Sequence, residues 1–500
     1  MKTIHLILIL FCVELYAQDG LTLLTTVHGE KAGDAFSFVD AIGDVNGDGF
    51  DDFIVGGSSG EYVKLYFGGS PFDTLDCLRF VKGTWRRVSA SGCGKGDLNG
   101  DGYNDFVINT AYFVDDYRVE IYYGGKDKKI YDNPDLTITN NGWYYGFRGR
   151  AINGDLNGDG YDDLVISAPM DDYDAHGRVY IYYGDKEMDT ECDVFLEGKE
   201  PFDMFGSSVS NVGDANGDGY DDLLIGAPQE LAGGRPGKAY LLYGGNDIGF
   251  NNSVEFVGTD SIKGDYGMFV SGLGDINGDG FMDFGIASWD YVDIFLGKAD
   301  FDINKVFLRY YGDEYVFIGG LNDINNDKYD DYVITSSTLK VYLGKTIPDT
   351  IPRINPSFWG RPVLSLGDIN GDNKKEIAVG YSYGESPIGL VNIYMYDKLN
   401  SIKDTNNTNL IGDYKLTQNY PNPFNPSTVI SYNIPSAGYV TLKIYDILGR
   451  KVATLVDEYK QPGSYSHLFL TKNFNLSSGV YFYIITAGKY TQSRKMILLK

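Results

Sequence analysis

The chain has 500 residues and a formal net charge of −27, with 42 Lys+Arg against 69 Asp+Glu. That balance argues against nucleic-acid binding, which wants basic patches. No segment beyond the N-terminus approaches 18 uninterrupted apolar residues, so no transmembrane helix is expected.

At the N-terminus, Lys2, the apolar run Ile4 to Val13 and Leu15-Tyr16-Ala17 before Gln18 read as a secretory signal peptide over residues 1–17. Cys12 follows the bulky Phe11, unlike a lipoprotein cleavage site. A soluble export signal is therefore expected rather than a lipid anchor. The mature part keeps Cys77, Cys93 and Cys192, an odd number, so at least one thiol stays free or pairs outside the chain. A Cys77–Cys93 bridge within one repeat and simple buried thiols are both open.

Between residues 18 and 397 one nine-residue loop recurs seven times. The copies start at Asp44, Asp97, Asp155, Asp214, Asp275, Asp323 and Asp368, which are 53, 58, 59, 61, 48 and 45 residues apart. A period near fifty points to a propeller or a solenoid. The first copy reads Asp44-Val45-Asn46-Gly47-Asp48-Gly49-Phe50-Asp51-Asp52. Side-chain oxygens at positions 1, 3, 5 and 9 of such a turn, with a backbone carbonyl from position 7, suit Ca²⁺ and its six to eight oxygen ligands. The candidate ligands are Asp44, Asn46, Asp48, Phe50 and Asp52, then Asp97, Asn99, Asp101, Tyr103 and Asp105. They continue with Asp155, Asn157, Asp159, Tyr161 and Asp163, and with Asp214, Asn216, Asp218, Tyr220 and Asp222. The last three sets are Asp275, Asn277, Asp279, Phe281 and Asp283; Asp323, Asn325, Asp327, Tyr329 and Asp331; and Asp368, Asn370, Asp372 and Glu376. The seven loops hold 25 acids, so much of the acidity is a ligand inventory rather than a sign of a cationic partner.

An EF-hand would place a bidentate Glu at position 12 and a helix after it. Here position 12 is Val55, Ile108, Ile166, Ile225, Ile286, Ile334 or Val379. These β-branched residues predict a buried strand and exclude EF-hand and dockerin-type helices. Each loop is followed by an apolar run ending in small residues, as in Leu223-Leu224-Ile225-Gly226-Ala227-Pro228. An alternating strand closed by Gly comes next, as in Val179 to Gly184; the last copy, Val391 to Tyr396, lacks the Gly. Upstream strands carry aromatic–Gly pairs, Phe205-Gly206 and Tyr266-Gly267, and a fourth strand such as Val254 to Gly258 opens many repeats. Four short strands per unit with Gly-rich turns describe a propeller blade.

Phe205-Gly206 and Gly226-Ala227-Pro228, with looser copies at Val55-Gly56-Gly57 and Ile286-Ala287-Ser288, resemble the FG-GAP repeats of integrin α-subunit propellers. The resemblance covers roughly residues 21–397 and implies an all-β, seven-bladed propeller with calcium in loops on one face. Leu21 to Val27 then looks like the missing outer strand of the last blade, which would close the ring and remove an exposed edge. Two loops depart from the pattern: Lys328 and Asn373 stand at the Gly position, and Lys374 and Lys375 flank the seventh cavity. Full occupancy is expected in the first five loops, binding in the sixth and the weakest binding in the seventh.

From 398 to 412 the chain turns to Asn, Thr and small polar residues, and a module over 413–500 follows. It carries +6 whereas residues 1–412 carry −33, which marks a domain boundary. Its Pro-rich start cannot be helical, and six or seven alternating strands are expected, forming a small immunoglobulin-like β-sandwich. Leu416-Thr417-Gln418-Asn419-Tyr420-Pro421-Asn422-Pro423-Phe424-Asn425-Pro426, Val440 to Asp446, Leu448-Gly449-Arg450, Ser478 to Tyr481 and Lys495 to Lys500 resemble the C-terminal sorting domain of type IX secretion cargo in Bacteroidetes-like bacteria. The resemblance implies recognition by the type IX machinery. It also implies passage through the periplasm of a Gram-negative bacterium and release or attachment at the outer surface.

No enzyme is expected. His28, His176 and His467 fall in different repeats or modules, and the acids are assigned to calcium. Gly56-Gly57-Ser58-Ser59-Gly60 matches Gly-x-Ser-x-Gly, but a strand rather than the required helix follows it. The aromatics are expected mainly in strands, with Trp143-Tyr144-Tyr145 and Trp289 left as rim candidates for ligand contact. The leading reading is a secreted calcium-binding propeller that binds or adheres to an extracellular protein or glycan. The alternative is a secreted hydrolase or lyase using the propeller cleft.

Overall fold

The computed structural model describes residues 17–499 apart from 19, 31–33, 58–61, 82–85, 90–94, 113–115, 127–132, 141–150, 171–173, 230–234, 260–264, 303–304, 313–314, 351, 355–359, 361, 382–388, 397–413, 417–418, 420–421, 423, 425–426, 435–437, 461–462, 471–473, 475 and 489. The signal segment through residue 16 and Cys93 lie outside the described residues, as do Trp143-Tyr144-Tyr145 and the whole of the expected linker. The chain divides into two compact units, Met1–Ile402 and Lys403–Lys500.

In the first unit the described residues form seven antiparallel sheets. The fourth is representative: Ser208–Gly213, Asp222–Ala227, Lys238–Leu242 and Ser253–Val257 pair in sequence order, and the acidic loop joins the first two strands. The second strand is buried throughout because it is covered on both faces by neighbouring sheets. Val55, Ile108, Ile166, Ile225, Ile286, Ile334 and Val379 are all 0% exposed, as position 12 predicts.

Seven apolar clusters fill the spaces between successive sheets. Ile54 and Val63 meet Phe106 and Ile108, and Val107 and Ile121 meet Leu164 and Ile166. Val165 and Ile181 meet Leu223 and Ile225, and Leu224 and Leu241 meet Phe284 and Ile286. Val292 and Ile294 meet Tyr332 and Ile334, and Val333 and Val341 meet Val363 and Ile377. The last cluster joins Ala378 and Ile393 to Phe53 and Val55, so the seventh sheet packs on the first. Strand pairing also closes the ring, out of sequence order. Leu21–His28 pairs with Leu390–Tyr396, so the N-terminal strand sits beside the last strand of the seventh sheet. Many aromatics are spent on this core: Phe53 stacks on Tyr66, Phe106 on Tyr122, Phe284 on Phe295 and Tyr332 on Tyr342 at 4.8–5.3 Å between ring centroids.

Three details differ from the sequence reading. The strand holding Val254 is the outer strand of the fourth sheet, paired with Lys238–Leu242, rather than the opening of the next unit. Phe205-Gly206 and Tyr266-Gly267 lie in turns just before the first strands, because Gly206 and Gly267 take φ of +87° and +88°, which a strand does not allow. The sixth sheet has three strands among the described residues, with Ile354 bridging Val341 in place of a fourth.

The second unit has seven strands in two sheets, one of three and one of four, enclosing Ile430, Tyr432, Leu442, Ile444, Tyr483, Ile485 and Met496. Its opening Pro-rich segment is pinned rather than regular. Buried Asn419 donates its backbone N–H to the Tyr483 hydroxyl oxygen (2.7 Å) and its Nδ2 to Thr428 Oγ1 (2.9 Å). Asn422 Oδ1 accepts the Ile497 N–H at 2.8 Å, and Phe424 is 2% exposed.

Replacing Ile225 by Ala is expected to destabilise the propeller by about 2–5 kcal/mol. Leu75→Ala, at a side chain 85% exposed, should change it by less than about 0.5 kcal/mol. Denaturant unfolding of the two variants checks this contrast.

Candidate metal centres

Each acidic loop wraps around its own first residue. Asp44 Oδ1 accepts N–H groups from Gly47 (2.7 Å) and Asp48 (3.1 Å), and Oδ2 accepts from Gly49 (2.8 Å). Asn46 Oδ1 accepts the Asp48 N–H at 2.9 Å, and Asp48 Oδ1 accepts the Phe50 N–H at 3.1 Å. The same pattern holds Asp155, Asn157 and Asp159, Asp214, Asn216 and Asp218, and Asp275, Asn277 and Asp279. Asp97, Asn99 and Asp101 repeat most of it. Positions 1, 3 and 5 are thus drawn into one tight turn.

That turn needs a left-handed residue at position 6, and Gly49 supplies it at φ +90°. Lys328 and Asn373 take φ of +77° and +60° at the same place in the sixth and seventh loops. Their N–H groups still reach Asp323 Oδ2 (2.7 Å) and Asp368 Oδ2 (2.8 Å), so the turn survives at a cost of about 1–2 kcal/mol for the non-glycine residue.

Position 9 is the buried anchor. Asp52, Asp105, Asp163, Asp222, Asp283, Asp331 and Glu376 are each 0% exposed. Asp52 Oδ2 accepts the N–H of Val45 in its own loop (3.0 Å), and Oδ1 accepts the N–H of Gly68, which closes the third strand (2.7 Å). The same two bonds recur from Leu98 and Gly124, Leu156 and Gly184, Ala215 and Gly244, Ile276 and Gly297, and Ile324 and Gly344. Burial, reinforced by the acids at positions 5 and 1, pushes Asp52, Asp105, Asp283 and Asp331 up to about 8, and Asp163 and Asp222 up to about 7.

The strand-closing glycines are the functional residues that loop spacing missed. A Cβ on Gly68 would lie 2.6 Å from the Asp51 carbonyl, and one on Gly244 would lie 2.3 Å from the Asp221 carbonyl. Only glycine lets the strand end lie under the loop and donate to position 9. The signal was present in the seventh repeat, which lacks the Gly and carries the longer Glu at position 9. There Glu376 Oε2 accepts the Ile369 N–H (3.0 Å), and Oε1 accepts Asn370 Nδ2 (2.9 Å) in place of the glycine. Lys374 Nζ sits 4.0 Å from Asp372 Oδ2.

Among the described residues, no three carboxylate, imidazole or thiol groups are already gathered into a metal cluster. The side chains at positions 1, 3 and 5 are spent on loop N–H groups, as the distances above set out. The donor set nonetheless suits a hard cation. It is oxygen-only, and it includes a buried carboxylate whose charge is costly without a positive partner. A divalent cation would favour the ionised form of that carboxylate.

The other candidates do not assemble. His28 lies in the outer strand of the seventh sheet, His176 before a strand of the third sheet, and His467 in the second unit. Ser58, Ser59 and Gly60 lie outside the described residues. Trp289 is packed against Tyr315 at 3.7 Å between ring centroids. Cys77 and Cys192 are free thiols.

Comparison with known proteins agrees with this architecture. The FG-GAP repeat family matches residues 147–182 and 205–242, and the secretion system C-terminal sorting domain family matches residues 418–499. Integrin alpha-5 of Xenopus laevis is 29% identical over 201 residues, covering 38% of this chain and 18% of the integrin. Integrin alpha-PS5 of Drosophila melanogaster is 35% identical over 169 residues, covering 32% of this chain and 16% of the integrin. The chain thus matches less than a fifth of the length of these relatives. A solved structure of PorZ, a surface component of the type IX secretion system of Porphyromonas gingivalis, covers 88% of this chain and 56% of its own at 10% identity and a TM-score of 0.37.

Gly244→Ala is expected to cost about 1–3 kcal/mol by forcing the loop off the strand end. Gly249→Ala, where the added methyl meets nothing within 4 Å, should cost less than about 0.5 kcal/mol. Thermal unfolding of both variants makes the comparison.

Proposed function

Because this chain carries FG-GAP repeats like those of the integrin α-subunits and a type IX secretion sorting domain, we propose that it is a calcium-stabilised propeller acting as a non-catalytic binding or adhesion module. The sorting domain implies interaction with the type IX machinery and export to the cell surface or beyond. No helix among the described residues is long and apolar enough to cross a membrane. The partner class is an extracellular protein or glycan, and the adhesive role rests on analogy with the integrins at the level of the fold.

The observation that carries the calcium reading is the fully buried carboxylate at position 9, repeated seven times beside the acids of its loop. Positions 1, 3, 5 and 9 would hold the ion, with the position 7 carbonyl. Bound calcium would neutralise acids that otherwise repel one another across the turn. The loops fold around position 1 and are tied to the sheet by position 9. Folding of the exported chain would then couple to metal, and extracellular modules work with sites of about 10⁻⁴–10⁻³ M. The third loop keeps all four oxygen side chains and both glycines. The seventh replaces its strand bond and carries two lysines, which makes it the weakest site.

Three outcomes are expected. Chelation should lower the melting temperature of the propeller while leaving the sorting module unchanged; identical melting of the propeller with and without chelator overturns the calcium role. On a glycan and surface-protein array the mature chain should bind without turnover. Hydrolysis lost on substituting one acid outside the loops would make it an enzyme. Removing residues 415–500 should leave the protein in the periplasm, as read by cell fractionation; normal surface display would overturn the sorting role.

A further inference from the structure

The seven loops touch one another around the ring. In six of the seven loops the aromatic ring at position 7 lies over the glycine at position 4 of the loop before it. A Cβ on Gly47 would fall 2.3 Å from Tyr103 Cε1, and on Gly100, Gly158, Gly217 and Gly278 it would fall 2.5 Å from the corresponding atom of Tyr161, Tyr220, Phe281 and Tyr329. The series crosses the ring closure, since a Cβ on Gly371 would fall 2.5 Å from Phe50 Cε1. These glycines are therefore required by the neighbouring loop as well as by their own positive φ.

Position 8 clamps the same neighbour. Its N–H donates to the carbonyl of position 1 in the preceding loop: Asn104 to Asp44 (3.3 Å), Asp162 to Asp97 (3.1 Å), Asp221 to Asp155 (3.2 Å), Met282 to Asp214 (3.1 Å), Asp330 to Asp275 (3.1 Å) and Asp51 to Asp368 (3.1 Å). In four pairs the side chain of position 8 also accepts the N–H of that position 1. Asp97 donates to Asp162 Oδ2 at 2.7 Å, and Asp368 donates to Asp51 Oδ2 at 2.8 Å.

One seam differs. Between the sixth and seventh loops, position 4 is Asn326, position 7 is Lys374 and position 8 is Lys375. None of these three contacts forms there among the described residues. Asn326 Nδ2 instead donates to the Asn373 carbonyl at 2.7 Å. Both sides of the seam have changed together.

We propose that the loops act as an open series of coupled calcium sites, running from the seventh through the first to the sixth and interrupted between the sixth and seventh. The inference rests on the calcium reading above and adds the residues that link the sites. Position 1 is both a ligand and the point clamped by the next loop. Position 7 offers its carbonyl to its own ion and its ring to the neighbour. Ordering one loop around an ion therefore sets the clamp on the next, and by linkage the effect runs both ways. Nearest-neighbour coupling of this kind gives cooperative filling along the series. The aromatic rings and the position 8 side chains are positioning residues, not ligands.

Calcium titration of the full chain by calorimetry, with bound ions counted at saturation, tests the proposal. The wild type should bind several ions with a Hill coefficient above 1. Tyr161→Leu should keep the ion count, lower the Hill coefficient and weaken half-saturation by about five-fold or more. Asp162→Ala should act likewise, and Asp162→Asn should restore the wild-type isotherm, since Asn104 fills this role in the second loop. Retained β circular dichroism in saturating calcium identifies which variants are folded, and the two independent positions guard against loss of one. Absence of calcium binding by the wild type overturns the calcium reading itself. Binding with a Hill coefficient of 1, unmoved by Tyr161→Leu and Asp162→Ala, overturns the coupling and leaves the calcium reading standing.

Discussion

A carboxylate with no solvent exposure, accepting one N–H from its own loop and another from the end of a strand, is the constraint on which the propeller depends. Asp52 does this between Val45 and Gly68, and Asp222 does it between Ala215 and Gly244. The bond pair ties the hairpin of the first two strands to the end of the third. A buried anion is costly unless compensated, and two backbone donors supply part of the compensation. Burial still pushes Asp52 up to about 8, so a positive partner would complete it. Structure and proposed metal binding thus share one group, which is why the acidic loop and the Gly-closed strand recur together.

The ring closes through two devices of different kinds. Apolar clusters lie between every pair of neighbouring sheets, and the N-terminal strand Leu21–His28 completes the seventh sheet. On the loop face, Asp51 of the first loop accepts the N–H of Asp368 in the seventh, joining residues 317 apart in sequence. The seam left without such loop contacts lies between the sixth and seventh sheets, beside the sheet with three described strands. That part of the ring is held by its core, where Val333 and Val341 meet Val363 and Ile377.

Much of this was legible because it is local and repeated. Position 12 could be assigned to a buried strand because seven β-branched residues held one offset from the loop. The closing strand could be placed because the resemblance to integrin propellers implies a closed ring, in which Leu21 to Val27 supplies the missing outer strand of the last blade. Other features depend on residues brought together only by the ring. The pairing of Tyr103 with Gly47 or of Asp162 with Asp97 joins separate repeats, and no spacing rule within one repeat exposes it. Phe205-Gly206 reads as part of the strand upstream of its loop, yet the positive φ of Gly206 makes it a turn. Position 9 was legible as an acid beside the other oxygens, but its burial and its glycine partner were not.

The most direct measurement of the central claim is diffraction from crystals of the mature chain grown with calcium. The account predicts ion density in the first five loops, about 2.3–2.6 Å from the carboxylates of positions 1, 5 and 9. Well-ordered loops without ion density at saturating calcium, with Asp52 and its counterparts still bonded only to backbone N–H groups, would contradict it.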